Sequence, residues 1–154
     1  MQIEITIYSD GSALGNPGAG GYGVVMLSGQ YRKEISEGFR LTTNNRMELM
    51  GAAVGLETIK REGAKVTIYT DSKYVVDAVT KGWVFKWVST GFKDKKNPDL
   101  WQRFLSAYRK HDVTMVWVKG HADNALNNRC DELAVEAART RPTSIDVGYD
   151  YVVG

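Results

Sequence analysis

Cysteine is nearly absent: of 154 residues only Cys130 is one, which excludes an internal disulfide framework and a metal site built from thiolates. Its neighbours Leu133, Ala134 and Ala137 mark it as a core thiol rather than a nucleophile. No apolar run follows a basic start and no long uncharged span occurs, so neither export nor membrane insertion is indicated and a cytoplasmic location is expected. Internal repeats, low-complexity tracts and linkers are missing as well. With 43% apolar and 25% charged residues, the chain fits one ordinary domain with a sizeable core.

Net charge is small, and charge is unevenly spread. The net value is +2, yet Lys81, Lys86, Lys93, Lys95 and Lys96 face one acid, Asp94, between residues 81 and 97, a local balance of +4 that leaves −2 for the remainder. Trp83, Phe85, Trp87 and Phe92 are interleaved with these lysines. Such a segment suits a local polyanion contact, and it equally suits a solvated helix whose aromatics pack onto their own core.

Alternation of Ile3, Ile5 and Ile7 predicts a strand over residues 3–8, with Asp10 at its exit. Gly15 to Gly18 turn into a second strand near 21–27, and Ser28-Gly29 closes a hairpin onto a third, 31–39. Thr43 or Asn44 can cap a helix running to about Arg61. On the Glu48 face of that helix lie Gly51, Ala52, Gly55 and Ile59, small enough to let it approach a sheet, which turns Glu48 inward. Val66, Ile68 and Thr70 then repeat the strand-then-aspartate pattern at Asp71. The intervening chain is long enough for a crossover, so the first and fourth strands should run parallel and bring Asp10 beside Asp71. A short helix to Thr80, a helix opened by Asn97-Pro98-Asp99, a strand over 113–118 and a helix over 127–139 that carries Asp131 complete the pattern. After Pro142 no period is visible, and residues 143–154 are expected to form a loosely ordered tail behind a single domain of residues 1–142.

Each aspartate alone reads as well as a turn former or helix cap. Four acids gathered together would mean something else. Like charges a few ångströms apart raise one another's pKa unless a cation compensates, and hard oxygen ligands select Mg2+ or Mn2+. If Asp10, Glu48, Asp71 and Asp131 converge, the chain is a divalent-metal enzyme.

Five segments, Tyr8-Ser9-Asp10-Gly11-Ser12, residues 42–49 (TTNNRMEL), Tyr69-Thr70-Asp71-Ser72, residues 117–121 (WVKGH) and residues 127–134 (NNRCDELA), resemble type 1 ribonuclease H, in order and across residues 2–142. The resemblance implies an α/β ribonuclease H-like fold: a five-stranded mixed sheet, its first three strands antiparallel and strands 1, 4 and 5 parallel, flanked by helices. It further implies a monomeric endonuclease that hydrolyses the RNA strand of RNA·DNA hybrids, leaves 5′-phosphate and 3′-hydroxyl ends, and so removes RNA primers and R-loops. Two Mg2+ ions, with Mn2+ as a substitute, would be held by Asp10, Glu48, Asp71 and Asp131. Asp10 would bridge them, Glu48 and Asp71 would serve the leaving-group ion, and Asp131 the nucleophile ion. His121 would assist turnover.

By the same resemblance Asn16, Asn44 and Asn45 touch sugar or base edges of the hybrid. Thr43 and Asn97 form a pocket for a DNA phosphate, Trp83 an aromatic channel, and Lys86 with Trp87 part of a basic protrusion. Lys73 stands where relatives place a substrate-contacting amide, Leu41 where a basic residue can occur, and Ala13 where some relatives carry cysteine. Val88-Ser89-Thr90 replaces a lysine and arginine run, so the protrusion is shorter and less basic. Trp101 fits the core instead. Three rivals make different demands. Another nuclease or strand-transfer enzyme of the ribonuclease H-like superfamily is disfavoured by the protrusion-like segment and the asparagines near Glu48; a hybrid-binding module without catalysis would have lost an acid, and a nucleotide-binding protein would carry a glycine-rich loop between strand and helix. Neither feature is present.

Overall fold

Alternating isoleucines make the first strand the axis of the sheet. In the computed structural model, which describes residues 2–120 and 124–153 and side chains as far as 150, β1 (Glu4–Ala13) pairs antiparallel with β2 (Gly18–Ser28) and parallel with β4 (Lys65–Thr70). β2 continues antiparallel into β3 (Tyr31–Thr42), and β4 continues parallel into β5 (Asp112–Trp117). The three antiparallel and three parallel strands are those the sequence predicts.

β1 is longer than expected. Its antiparallel partner accompanies it to Ala13 opposite Gly20, whereas the parallel pairing with β4 stops at Tyr8 opposite Tyr69. Asp10 therefore lies within a strand rather than at its exit, hydrogen-bonded through the ladder toward β2 only. The gap left beyond the end of β4 is where the site forms.

Helices cover both faces. α1 (Asn44–Thr58) and α4 (Pro98–Tyr108) bury Ile7, Val24, Leu49, Leu56, Trp101 and Phe104 on one side. α5 (Ala125–Thr140) buries Cys130 and Leu133 against Val25 on the other, and burial pushes the Cys130 thiol up to about 12, as suits a core group. α2 (Lys73–Thr80) and α3 (Trp83–Ser89) follow β4. α1 ends at Thr58 rather than Arg61, with the Ile59 backbone already extended. Its approach to β1 needs a glycine: a Cβ on Gly11 would lie 2.3 Å from the backbone nitrogen of Glu48.

The chain after 141 is not loose. A sixth strand, β6 (Pro142–Ser144), pairs parallel with β3, extending the sheet order to β5-β4-β1-β2-β3-β6, and α6 (Val147–Val153) follows. The anchors are polar. Asp146, 1% exposed, accepts from Thr42 and Arg46 at 2.7 Å, and Asp150, 2% exposed, pairs with Arg40. A three-residue strand shows no period, and charged anchors whose partners lie about a hundred residues away leave no hydrophobic signature, so the sequence predicts a tail where the structure has a docked segment.

Gly11→Ala should cost roughly 1–3 kcal/mol by forcing α1 off the sheet, measured by urea denaturation. A loss below about 0.5 kcal/mol would show that the helix can shift freely.

Candidate active site

Three of the four predicted acids meet. Carboxylate oxygens of Asp10, Glu48 and Asp71 all lie within 4.8 Å of one another. Asp10 is delivered by the stretch of β1 that overhangs β4. Asp71 follows immediately on the last residue of β4. Glu48 comes from the first turns of α1, whose start is fixed by Thr43: its hydroxyl accepts from the Arg46 N–H at 3.2 Å and its carbonyl from that of Met47 at 3.1 Å. The Gly11 N–H points between the two acids on either side of it, donating to Asp10 Oδ1 and Glu48 Oε1.

Burial sets the electrostatics. Asp10 is 5% exposed, and desolvation pushes its carboxyl up to about 7; a hydrogen bond from Glu48 works against this, while the charges of Asp71 and Asp131 add to it. Glu48 is held well above the usual carboxylate range, first by burial, then by the charge of Asp10 and the hydrogen bond to it. The pair thus keeps a proton as pH approaches neutrality, shared between the two carboxyls, which is the expected response of crowded carboxylates without a cation.

Asp131, on α5, stands outside the mutual 4.8 Å group among the described residues, yet its charge reaches Asp10. It belongs to the surroundings of the cluster rather than to its centre. His121 lies outside the described residues, but the chain leading to it is placed. A Cβ on Gly120 would come within 2.6 Å of Asp71 Oδ2, and the Trp117 indole N–H donates to the Asp71 carbonyl at 3.1 Å. Gly120 leaves room for the Asp71 carboxylate, and Trp117 holds its backbone. The glycine in Lys119-Gly120-His121 was a visible signal; the indole contact was not.

A second feature adjoins the first. Asn44 and Asn45 sit four and three residues before Glu48, one turn along the same helix and therefore about 5.4 Å away along its axis. With Asn16, Thr43 and Asn97 they line a cleft of about 780 Å3. Asn16 Oδ1 accepts from the Asn44 N–H and Asn44 Oδ1 from the Ala13 N–H, which leaves the NH2 groups for the cleft. Asn97 adopts a left-handed backbone, φ 60°, and its amide is held by the Tyr74 hydroxyl at 3.0 Å and by Arg46.

The protrusion divides its aromatics between two roles. Phe92 is buried, as is the aliphatic Val84, and Trp87 is half-buried edge-on to Trp101 with Lys95 over its ring. Trp101 itself is fully buried, as expected. Trp83 and Phe85 stay exposed, Lys81 lying over the Trp83 ring, and Lys86 is exposed beside them. Lys73 covers the exposed face of Trp117, close to Asp71. The core-packing reading of the segment therefore holds for Trp87 and Phe92, while Trp83 and Phe85 stay at the surface among the lysines.

A divalent ion fits this donor set: three buried or half-buried carboxylates, oxygen only, with a shared proton that a cation would displace. Comparison with known proteins points the same way. The family model described as RNase H matches residues 2–139. Ribonuclease H of Desulforamulus reducens is 56% identical over 149 residues, covering 94% of this chain and 93% of its own, and Ribonuclease H of Syntrophus aciditrophicus is 52% identical over 153 residues, covering 96% and 88%. Among solved structures, LC9-RNase H1, described as a type 1 RNase H with the type 2 active-site motif, superposes with TM-score 0.82 at 35% identity over 90% of this chain and 73% of its own. LC11-RNase H1, solved in complex with an RNA/DNA hybrid, gives 0.64 at 27% identity over 87% and 96%. The chain belongs to the RNase H family, and within it to the type 1 enzymes. It is an RNA-hydrolysing nuclease.

The raised carboxyls give a pH test. Below about pH 4 folded and unfolded chains both carry the Asp10 proton; as pH rises toward 7 the unfolded chain releases it and the folded chain keeps it, so stability present in acid is lost on the way to neutrality. In metal-free protein Asp10→Asn should therefore raise stability at pH 8 by roughly 1–3 kcal/mol and change it little at pH 4. Urea denaturation at the two pH values checks this, and a variant no more stable at pH 8 contradicts it.

Proposed function

We propose that the enzyme cuts the RNA strand of RNA·DNA hybrids endonucleolytically at the Asp10, Glu48 and Asp71 cluster. The observation that carries this is the adjacency of that cluster to an amide-lined cleft on the same helix. Carboxylates alone would repel a phosphodiester. Two Mg2+ ions, or Mn2+ in their place, held by Asp10, Glu48, Asp71 and Asp131, would neutralise charge on the phosphate, activate the attacking water and stabilise the leaving 3′-oxygen. Asp10, Glu48 and Asp71 would hold the ion that stabilises the leaving group, and Asp10 with Asp131, set apart from the trio, the one that activates water. Water gives up a proton as its oxygen bonds to phosphorus, the bond to the 3′-oxygen breaks and that oxygen takes up a proton, and the products carry a 5′-phosphate and a 3′-hydroxyl.

The chain's own groups orient the substrate. Amides of Asn16, Asn44 and Asn45 can donate to 2′-hydroxyls and base edges, the feature that tells RNA from DNA. Thr43 and Asn97 take a phosphate of the DNA strand. Trp83, Lys86 and Trp87 support the duplex beyond the cleft, and Lys73 adds a cation beside Asp71. With few cations on the protrusion, hybrid affinity should fall less steeply with salt than in a lysine-rich relative. His121 would handle protons or assist product departure, tasks open to an imidazole. Hybrids arise from primers and R-loops, which gives a monomer in the cytoplasm its substrate.

Labelled RNA·DNA, RNA·RNA and DNA·DNA duplexes incubated with Mg2+, Mn2+ or EDTA test this directly. Only the hybrid should be cut, and only with metal; cleavage of RNA·RNA at a comparable rate would overturn the substrate assignment. Asp10→Asn should abolish Mg2+-dependent cleavage, whereas His121→Ala should slow turnover and leave it measurable. A fully inactive His121→Ala enzyme would mean that the histidine is essential rather than auxiliary.

A further inference from the structure

Arg46 sits in the first turn of α1 between Asn45 and Glu48, yet its guanidinium has nothing left to offer a phosphate. All five N–H donors are engaged. Nε and Nη2 each donate to Asp146 at 2.7 Å, Nη2 and Nη1 to Asp99 at 2.7 and 3.0 Å, and Nη1 to the Asn97 amide oxygen at 3.3 Å. The residue is 2% exposed and Asp146 1%. Arg46 is thus a hub that ties the C-terminal segment to the starts of α1 and α4, the two elements that carry Asn45 and Asn97.

The segment then closes down on that hub. A Cβ on Gly148 would press on the Asp99 carboxylate and lie 3.0 Å from Arg46 Nη2, so a side chain there would push Asp99 away from the Arg46 guanidinium. The next residue, Tyr149, stands with its ring centroid 5.8 Å from the Arg46 guanidinium carbon and, half-buried, lines the same cleft as Asn44, Asn45 and Asn97. A segment serving only as a strap would have no need to present an aromatic ring to the cleft.

We propose that the C-terminal segment is a working wall of the nucleic-acid cleft: Tyr149 bears directly on a bound strand, and Asp146 acts through Arg46 as a positioning residue for Asn45 and Asn97. This rests on the cleft being the hybrid-binding groove. The ring gives a flat apolar face suited to a sugar or base, where aromatic contacts with nucleic acid are strong, and the Asp146 fork fixes the amides that flank it.

The experiment measures kcat and KM on a labelled RNA·DNA hybrid with Mg2+, hybrid affinity by fluorescence anisotropy in EDTA, and melting temperature, for the full-length wild type, Tyr149→Ala, Tyr149→Phe and Asp146→Asn. Tyr149→Ala should raise KM and weaken binding by roughly five- to tenfold with kcat within about twofold, and Tyr149→Phe should restore both, because the ring does the work. Asp146→Asn should raise KM in the same direction and also lower the melting temperature. A folded Tyr149→Ala enzyme with KM and affinity within twofold of wild type overturns the proposal, and it decides the matter even if Asp146→Asn fails to fold. A wild type that neither binds nor cuts the hybrid would instead sink the reading of the site itself, and the proposal with it.

Discussion

Mutual repulsion among carboxylates, held in place by a sheet that ends unevenly, is the constraint on which the rest of the structure depends. β1 outruns β4 beyond Tyr69, and the space so opened admits Asp10 from the strand, Asp71 from the end of its neighbour and Glu48 from the helix above. Gly11 allows that helix near enough for Glu48 to share the Gly11 N–H with Asp10. A fold that spends stability on gathering like charges needs a reason, and in a member of the RNase H family the reason is chemistry on a phosphodiester. The cost is met by tight packing on both faces of the sheet and by glycines where helix and strand touch.

Much of this was legible in the order of residues. The paired strand-then-aspartate pattern gave β1, β4 and the parallel crossover, and the small residues on the Glu48 face of α1 gave its inward direction. Gly55 shows why: a Cβ there would meet the Ile7 side chain at 3.0 Å. Asp10 was placed at a strand exit because the isoleucine alternation stops before it. Pairing with the glycine-rich β2 carries the strand onward without needing apolar side chains. Asp131 stands outside the trio although its charge acts on Asp10, and its place depends on how α5 seats against β2, where Gly23 faces the Cys130 carbonyl, which no local pattern encodes.

What sequence could not show is polar and long-range. Asp146 and Asp150 look like solvated charges in a tail without period, and only the fold brings Arg46, Arg40 and Thr42 to them. The same holds for Trp117 and Gly120 around Asp71. Hydrophobic periodicity reports which face is buried; it is silent about buried ion pairs, whose partners can lie anywhere in the chain. Here those pairs hold the walls of the asparagine-lined cleft, the part of the molecule least visible in sequence.

The central claim is that Asp10 and Glu48 hold a proton in the metal-free enzyme that a divalent ion displaces. Calorimetric titration of metal-free protein with Mg2+ near pH 6.5, in two buffers of different ionisation enthalpy, counts the protons released on binding. The account predicts a release of up to about one proton per chain, declining as pH is raised. Mg2+ binding with no proton release at that pH would contradict it.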